Sequence, residues 1–317
     1  MSQRVVIFAN PIAGRGKGRV LAERLERRFL REGWEVVVVH QRPDLVDELV
    51  TGGMTAAVSI GGDGTLRNVV ERVTGGGSHE GPGVLVVPMG TANLMGKHLG
   101  MSLKDKGLED RATRAISIRQ IVRLDVGRIR SQKRACDERS RIEGGSEKEE
   151  LNRLFLLMVG VGIDGEVVHA MDRVRKGPIA TSSYLRPGLG AFADYHYHKL
   201  EVEVDGRRVF ARGPAVAFVG NIKEYGTGFE ILPQAKSDDE LLDVCILPAN
   251  RPQELIGHFL AAAAGEHIHG EGVVYVKGRR VKITSPEPVA VQADGDPAGW
   301  TPVEMELLRM RVGFIVP

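Results

Sequence analysis

Apolar residues in this chain fall in short runs separated by turns rich in glycine, and two patterns succeed one another. Up to about residue 125, strand-length apolar runs alternate with stretches of helical period, the mark of an α/β layer. Arg4–Ala9 predicts a buried strand that ends at the turn Asn10-Pro11-Ile12-Ala13-Gly14. Leu21, Leu25 and Phe29 then recur at helical spacing, which predicts an amphipathic helix over Gly18–Arg31. Trp34–Val39 is the next strand, and Leu45–Val50 reads as a short helix. Ala56–Ile60 is a third strand, closed by Gly61-Gly62-Asp63-Gly64-Thr65, with a helix over Leu66–Val73 and a fourth strand at Gly83–Val87.

The second pattern lacks the alternation. Leu154–Val159, Leu200–Val204, Arg208–Arg212, Ala215–Val219, Leu242–Leu247, Val273–Val276, Arg280–Thr284 and Val289–Gln292 are short, strand-like and divided by turn residues. Strands in succession imply an antiparallel sheet or sandwich. Helical stretches interrupt them only near Glu166–Arg175 and Pro252–Ala264. Between the two patterns, Ser131–Glu150 is charged and poor in apolar residues, so it reads as a solvated insertion. The fold expected is an α/β N-terminal domain followed by a β-rich, antiparallel sandwich-like domain.

Composition narrows the class without choosing a function. The 317 residues exceed one ordinary core, and 42% hydrophobic with 26% charged residues is the balance of a globular protein. A net charge of +2 gives no global field for nucleic acid, so no nucleic-acid partner is expected. Cys136 and Cys245 define neither a zinc site nor a disulfide framework, which suits a reducing cytoplasm. The N-terminus lacks the pattern of a signal peptide, and no apolar run approaches the roughly 20 residues that span a bilayer.

Strand–GGDGT–helix is the most informative segment. Glycines 61, 62 and 64 leave backbone N–H groups unobstructed, and the following helix directs its positive end into the loop, favouring phosphate oxygens. Asp63 repels a phosphate, so it belongs there either as a holder of a cation or water, or as a helix cap. Asn10-Pro11-Ile12-Ala13-Gly14 and Pro88-Met89-Gly90-Thr91-Ala92-Asn93 follow the first and fourth strands. Loops at the carboxyl ends of parallel strands converge, so all three are placed to surround one nucleotide. There is no GxxxxGK[ST], and Gly14, Gly16 and Gly18 do not form GxGxxG, which excludes a P-loop and leaves a dinucleotide site unsupported.

NPIAG, GGDGTLRNVV, PMGTAN, RLDVG, GVGIDGEVV, AKSDDELLDV and VQADGDPAG occur in the order found in the diacylglycerol kinase catalytic-domain family, which the chain resembles from about Val5 to its C-terminus. That family includes bacterial soluble lipid kinases, sphingosine kinases and ceramide kinases; GGDGT is shared with NAD kinases. The resemblance implies an ATP-dependent kinase acting on a lipid hydroxyl, most simply diacylglycerol, with ATP in the cleft of a two-domain fold. It implies an ATP-binding domain over 1–125, joined by a returning strand near 303–317, and an acceptor domain over 126–302. Asn10, Pro11, Ile12, Ala13, Gly14, Gly61, Gly62, Asp63, Gly64, Thr65, Leu66, Arg67, Gly90, Thr91 and Asn93 would contact ATP. Asp63 and Asp125 would join a water-linked carboxylate network with Mg²⁺. A structural Mg²⁺ would sit on the Asp239 side chain and the carbonyls of Lys236 and Leu241. The general base would be Asp296, with Asp294 as the alternative. Four positions depart from the family pattern: Asp296 stands for Glu, Leu94 for Asp, Glu240 for the glycine of a D-D-G turn, and His40 or Gln41 for a threonine after the second strand.

A lipid substrate implies transient contact with the inner membrane face. Arg173, Arg175 and Lys176, with Tyr184–Leu189, are the segment suited to it. His196 with His198, and His267 with His269, alternate at strand spacing but show no third ligand in the sequence, so they read as surface or packing histidines. A kinase of a soluble acceptor, a silent nucleotide- or lipid-binding regulator, and a homodimer all stay open.

Overall fold

The computed structural model describes residues 3–47, 53–77, 79–102, 107–133, 150–174, 195–226 and 229–317. These form two compact units, one from Met1 to Asp125 with Arg309–Pro317, the other drawn from residues between Val126 and Leu308. The architecture is the α/β domain followed by a β-rich domain that the two sequence patterns predict.

In the first unit, β1 (Arg4–Ala9), β2 (Glu35–Val39), β3 (Ala56–Gly61) and β4 (Gly83–Pro88) make a parallel sheet in the order β2-β1-β3-β4. The chain's end completes it, since Phe314 and Ile315 of β16 (Asp296–Val316) pair in parallel with Val84 and Leu85. The strands are apolar throughout because helices cover them. Ala22, Leu25 and Phe29 of α1 (Lys17–Arg31) and Ala112, Ala115 and Ile116 of α4 (Leu108–Ile118) pack with Ile7, Val58 and Leu85. The chain passes from β1 to β2 on one side and then crosses to β3 on the other side of β1, and the crevice at the carboxyl ends of strands where the order reverses is where such sheets bind ligands.

In the second unit, β7 (Met158–Val161), β9 (Arg207–Gly220), β12 (Leu242–Pro248), β13 (Val274–Gly278) and β15 (Ala290–Ala293) pair antiparallel in the order β13-β12-β9-β7-β15. The start of β16 extends them beside β15. A second layer pairs β9 with β8 (Lys199–Val204), β8 with β14 (Arg280–Thr284), and β14 with the middle of β16. The 14-residue β9 and 21-residue β16 thus serve both layers. Val159, Val161, Val202, Val219, Val244 and Ile283 meet in the core between them.

Several boundaries differ from the sequence reading, each for a local reason. Only Pro43–Leu45 coils where a helix over Leu45–Val50 is predicted; Val46 is already extended, and 48–52 lie outside the described residues. The two strands predicted on either side of Pro214 are one, β9, which changes partner from β8 to β12 there; the Pro214 carbonyl accepts the Ala249 N–H at 3.1 Å. Leu154–Val159 is instead interrupted between β6 (Glu150–Phe155) and β7, because the Asp294 carboxylate captures the intervening N–H groups. The charged segment starts later than predicted: Ser131 ends buried in β5 (Gln120–Gln132) and donates to the Ala298 carbonyl at 2.6 Å. Residues 134–149, and the segment 175–194 proposed for membrane contact, lie outside the described residues. Helix α4 and strand β5 are not anticipated.

Candidate active site

Three loops meet at the carboxyl edge of the first unit's sheet, and backbone proximity is what joins them. Gly62 and Gly90 lie so close that a Cβ built on Gly90 would stand 2.5 Å from the Gly62 Cα. Only glycine permits that approach. The Met89 N–H donates to the Gly61 carbonyl at 2.7 Å, and the Asn10 N–H to that of Ile60 at 3.0 Å. The Asn10 side chain donates to Thr65 Oγ1 at 3.3 Å and accepts the Ile12 N–H at 3.1 Å, fixing the turn at Pro11. Ala13 opens a short 3-10 turn, and Gly14, at φ +58°, lies against the Met89 side chain.

Helix α2 (Asp63–Val73) begins at Asp63, three residues before the sequence reading places it, with Gly62 extended as its cap residue. The first intrahelical bond runs from the Leu66 N–H to the Gly62 carbonyl at 3.0 Å. The N–H groups of the turn before it point along the helix axis with no carbonyl of their own helix to meet, an anion-binding arrangement. Leu66 itself is buried in the core; Arg67 is buried too, its guanidinium donating to Asn68.

Asp63, the first residue of α2, reaches the next helix. Its two oxygens accept the N–H groups of Leu94 (3.0 Å) and Met95 (3.1 Å), the first turn of α3 (Leu94–His98). The carboxylate therefore locks the PMGTAN loop onto the GGDGT loop, and it does so through the backbone of Leu94, whatever that side chain is. Asn93 adds a closed pair with Gly90, donating to its carbonyl and accepting its N–H, both at 2.7 Å. Thr91 is exposed beside them. Asp125, buried, accepts from Arg311 Nε at 2.7 Å, where the returning strand passes it.

In the second unit the turn at residues 294–296 is held from several sides. Asp294, at φ +53°, accepts the N–H groups of Leu156 (2.9 Å), Leu157 (2.9 Å) and Met158 (3.1 Å). Those bonds make it the pin of the β6–β7 turn. Asp296 is partly buried, and its carbonyl, with that of Ala293, accepts from Arg153 Nη2. Behind the turn lies a group the sequence reading does not single out. Asp164, in the first turn of α5 (Ile163–Val174), is buried and accepts hydrogen bonds from the Tyr225 hydroxyl and from Gln292 Nε2 (2.7 Å). Gln292 Oε1 in turn accepts the Gly295 N–H at 2.9 Å. Burial raises the Asp164 carboxyl from 3.8 to about 6, against the lowering pull of Tyr225 and Gln292. Gly160 leaves the room, since any side chain there would collide with Asp164 and Gln292. The available signal was an acidic residue set in the apolar run of GVGIDGEVV.

The loop of Lys236, Asp239 and Leu241 carries a cation of the chain's own. Lys277 Nζ reaches Asp239 Oδ2 at 3.0 Å, the Gln234 carbonyl at 2.9 Å and Asp243 Oδ2 at 3.2 Å. The other oxygen of Asp239 accepts the Leu241 N–H at 3.2 Å. Burial pulls the ammonium toward neutrality, but its bonds to Asp239 and Asp243 outweigh this and hold its pKa above the ordinary lysine value. A Mg²⁺ on Asp239 would stand within about 4 Å of that ammonium, a repulsion of roughly 8 kcal/mol at an effective dielectric of about 20, less where water reaches the pair. The residues do not fit a structural Mg²⁺ here. Glu240, at φ +61° where the family pattern has glycine, points its carboxylate to Arg279 Nη1 at 2.9 Å.

Comparison with known proteins agrees with this two-part architecture. Residues 4–129 match the diacylglycerol kinase catalytic domain, and residues 157–315 match the YegS C-terminal NAD kinase beta sandwich-like domain. A protein of Pseudomonas syringae pv. syringae named "Probable lipid kinase YegS-like" is 28% identical over 289 residues, covering 87% of this chain and 82% of its own. One of the same name from Pseudomonas fluorescens is 30% identical over 262 residues, covering 80% and 74%. A crystal structure described as a diacylglycerol kinase from Bacillus anthracis aligns with a TM-score of 0.66 at 17% identity, covering 100% of this chain and 97% of that one, a likeness of fold. Membership implies ATP use and a phosphoryl transfer to an alcohol. The chain belongs to the YegS-like lipid kinases, which couple a diacylglycerol kinase catalytic domain to a sandwich-like second domain.

Proposed function

We propose that this kinase transfers the γ-phosphate of ATP to the free hydroxyl of diacylglycerol, giving phosphatidic acid. The observation that carries the nucleotide half is the backbone contact of Gly62 with Gly90, which joins two of the loops at the sheet's carboxyl edge, with Asn10 tied to Thr65 as the third. In this reading the N–H groups at residues 61–65 and the positive end of α2 hold the phosphate chain, and Asn10, Thr65 and Thr91 orient it. Asp63 keeps the two glycine loops in register. Asp296 takes the proton of the acceptor hydroxyl as the new P–O bond forms, and ADP leaves with the electrons of the broken bond. Asp296 is preferred to Asp294 because three backbone N–H groups already depend on the Asp294 carboxylate. Any divalent ion that ATP brings is bound with the phosphates; no step runs through the Asp239 loop. The kinase works from the cytoplasm, visiting the membrane to reach its substrate, in keeping with described helices none of which is long and apolar enough to cross it.

The test is ADP release in mixed micelles containing diacylglycerol, a sphingoid base or phosphatidylglycerol, with NAD as the soluble acceptor. Diacylglycerol should give the highest kcat/KM, and Asp296→Asn should lower kcat at least about 100-fold while ATP affinity stays within a factor of two or so. Full turnover by that variant would remove Asp296 from the mechanism. A faster reaction with another acceptor would reassign the substrate.

A further inference from the structure

Outside the kinase machinery, the second unit assembles a ligand set that sequence spacing alone leaves incomplete. His196 and His198 lie on the extended segment leading into β8, two residues apart and so on one side of it. Glu287, from the turn between β14 and β15, completes the group: one ligand atom from each of the three lies within 4.8 Å of the other two. His198 Nδ1 stands 3.9 Å from Glu287 Oε2, and the two imidazole rings are 5.1 Å apart.

A second contact settles how His198 is presented. Its Nε2 lies 3.3 Å from Glu166 Oε1 on α5, so a neutral ring donating there carries its lone pair on Nδ1, toward Glu287. A histidine whose far nitrogen is held by a carboxylate is the usual support of a metal-bound imidazole. His198 is mostly buried, its side chain 12% exposed, while the Glu287 side chain is 69% exposed. One ligand is therefore preset and another free to swing. Ligand atoms about 2.0–2.1 Å from a tetrahedral zinc stand roughly 3.4 Å from one another, so closure asks only for rotation of exposed side chains.

We propose that His196, His198 and Glu287 bind one Zn²⁺, with Glu166 as the residue that positions His198 and with a fourth coordination place left to water. Two imidazoles and one carboxylate suit zinc, whereas Mg²⁺ and Ca²⁺ require sets made almost wholly of oxygen. The two carboxylates also offset the charge of the ion. The metal would fasten the segment entering β8 to the turn at Glu287, clamping together two parts of the chain 89 residues apart by numbering. The inference does not depend on the choice of lipid.

The experiment titrates ZnSO₄ into chelator-stripped full-length protein against a chromophoric zinc chelator. Binding should be one ion per chain with Kd at or below about 1 μM. The His196→Ala/His198→Ala double variant should weaken it at least 100-fold. Glu166→Gln should weaken it about 10–100-fold while stoichiometry stays at one, a result that a merely structural Glu166 would not give. Circular dichroism of each variant confirms the fold; Glu287→Gln, at an exposed position, serves if the double variant does not fold. Wild-type affinity weaker than about 100 μM, or affinity unchanged in the double variant or in Glu287→Gln, overturns the assignment.

Discussion

The buried carboxyl of Asp164 makes the pH dependence of stability a test of the second unit's polar network. Its pKa rises from 3.8 to about 6 on folding, chiefly through burial. At 1.36 kcal/mol per pH unit, the folded state disfavours the charged form by roughly 3 kcal/mol. The sign follows from the proton count. Between about pH 4 and 6 the folded protein keeps a proton that the unfolded chain has shed, so raising the pH favours unfolding. The contribution is greatest below pH 4, falls through the interval and is level above 6. Urea unfolding of the wild type and of Asp164→Asn at half-unit steps from pH 4 to 8 isolates it. The amide loses one acceptor for Tyr225 or Gln292, which shifts the whole curve by a constant. What diagnoses Asp164 is the slope: relative to the variant, the wild type should lose about 2 kcal/mol between pH 4 and 6 and less than about 0.5 kcal/mol beyond. Parallel curves would show that the carboxyl is not the buried acceptor described here.

Other perturbations follow from the same geometry. Gly90→Ala places a Cβ 2.5 Å from the Gly62 Cα, forcing the two loops about 1 Å apart; kcat/KM for ATP should fall about 100-fold with little change in Tm, and normal kinetics would mean that the loops do not hold the nucleotide. Asp294→Asn leaves one carbonyl for three N–H groups, so urea denaturation should report a loss of about 2 kcal/mol, while turnover per folded molecule falls far less than in Asp296→Asn. Lys277→Met leaves Asp239 and the buried Asp243 uncompensated, lowering stability by about 2 kcal/mol. Millimolar Mg²⁺ should restore the Tm of that variant and leave the wild type unmoved; a wild type stabilised by Mg²⁺ and lost to chelator would return the metal to the loop.

The sequence made the two layers legible because strand and helix periods differ, and the convergence of the glycine loops legible because they follow parallel strands. Arg4–Ala9 and Arg280–Thr284 match their predicted bounds at both ends. What stayed hidden was pairing at a distance. Nothing in VQADGD says that Asp294 binds backbone 136 to 138 residues earlier and thereby splits the apolar run Leu154–Val159 into two strands. Nor does GGDGT reveal that Asp63 accepts the N–H groups of the next helix. The third partner of His196 and His198 was invisible for the same reason, since Glu287 is joined to them only by the sheet.

Those long-range carboxylates share a logic that bears on how the kinase is built. Asp63, Asp125 and Asp239 are the positions where the family resemblance places a metal network, and in this chain backbone N–H groups, a guanidinium or an ammonium contact each of them. Leu94 and Glu240 fall beside two of these three sites, where the pattern otherwise carries a carboxylate and a glycine. The Lys277 ammonium and the absence of a carboxylate at Leu94 both lower the negative charge available to a divalent ion, while the carboxylate of Glu240 is turned to Arg279. Lys277 supplies one positive charge to a loop flanked by Asp239 and the fully buried Asp243, and an ammonium needs no six-fold oxygen shell to do so. The Asp239 loop thus carries a covalently attached cation, held by Asp239, Asp243 and the Gln234 carbonyl.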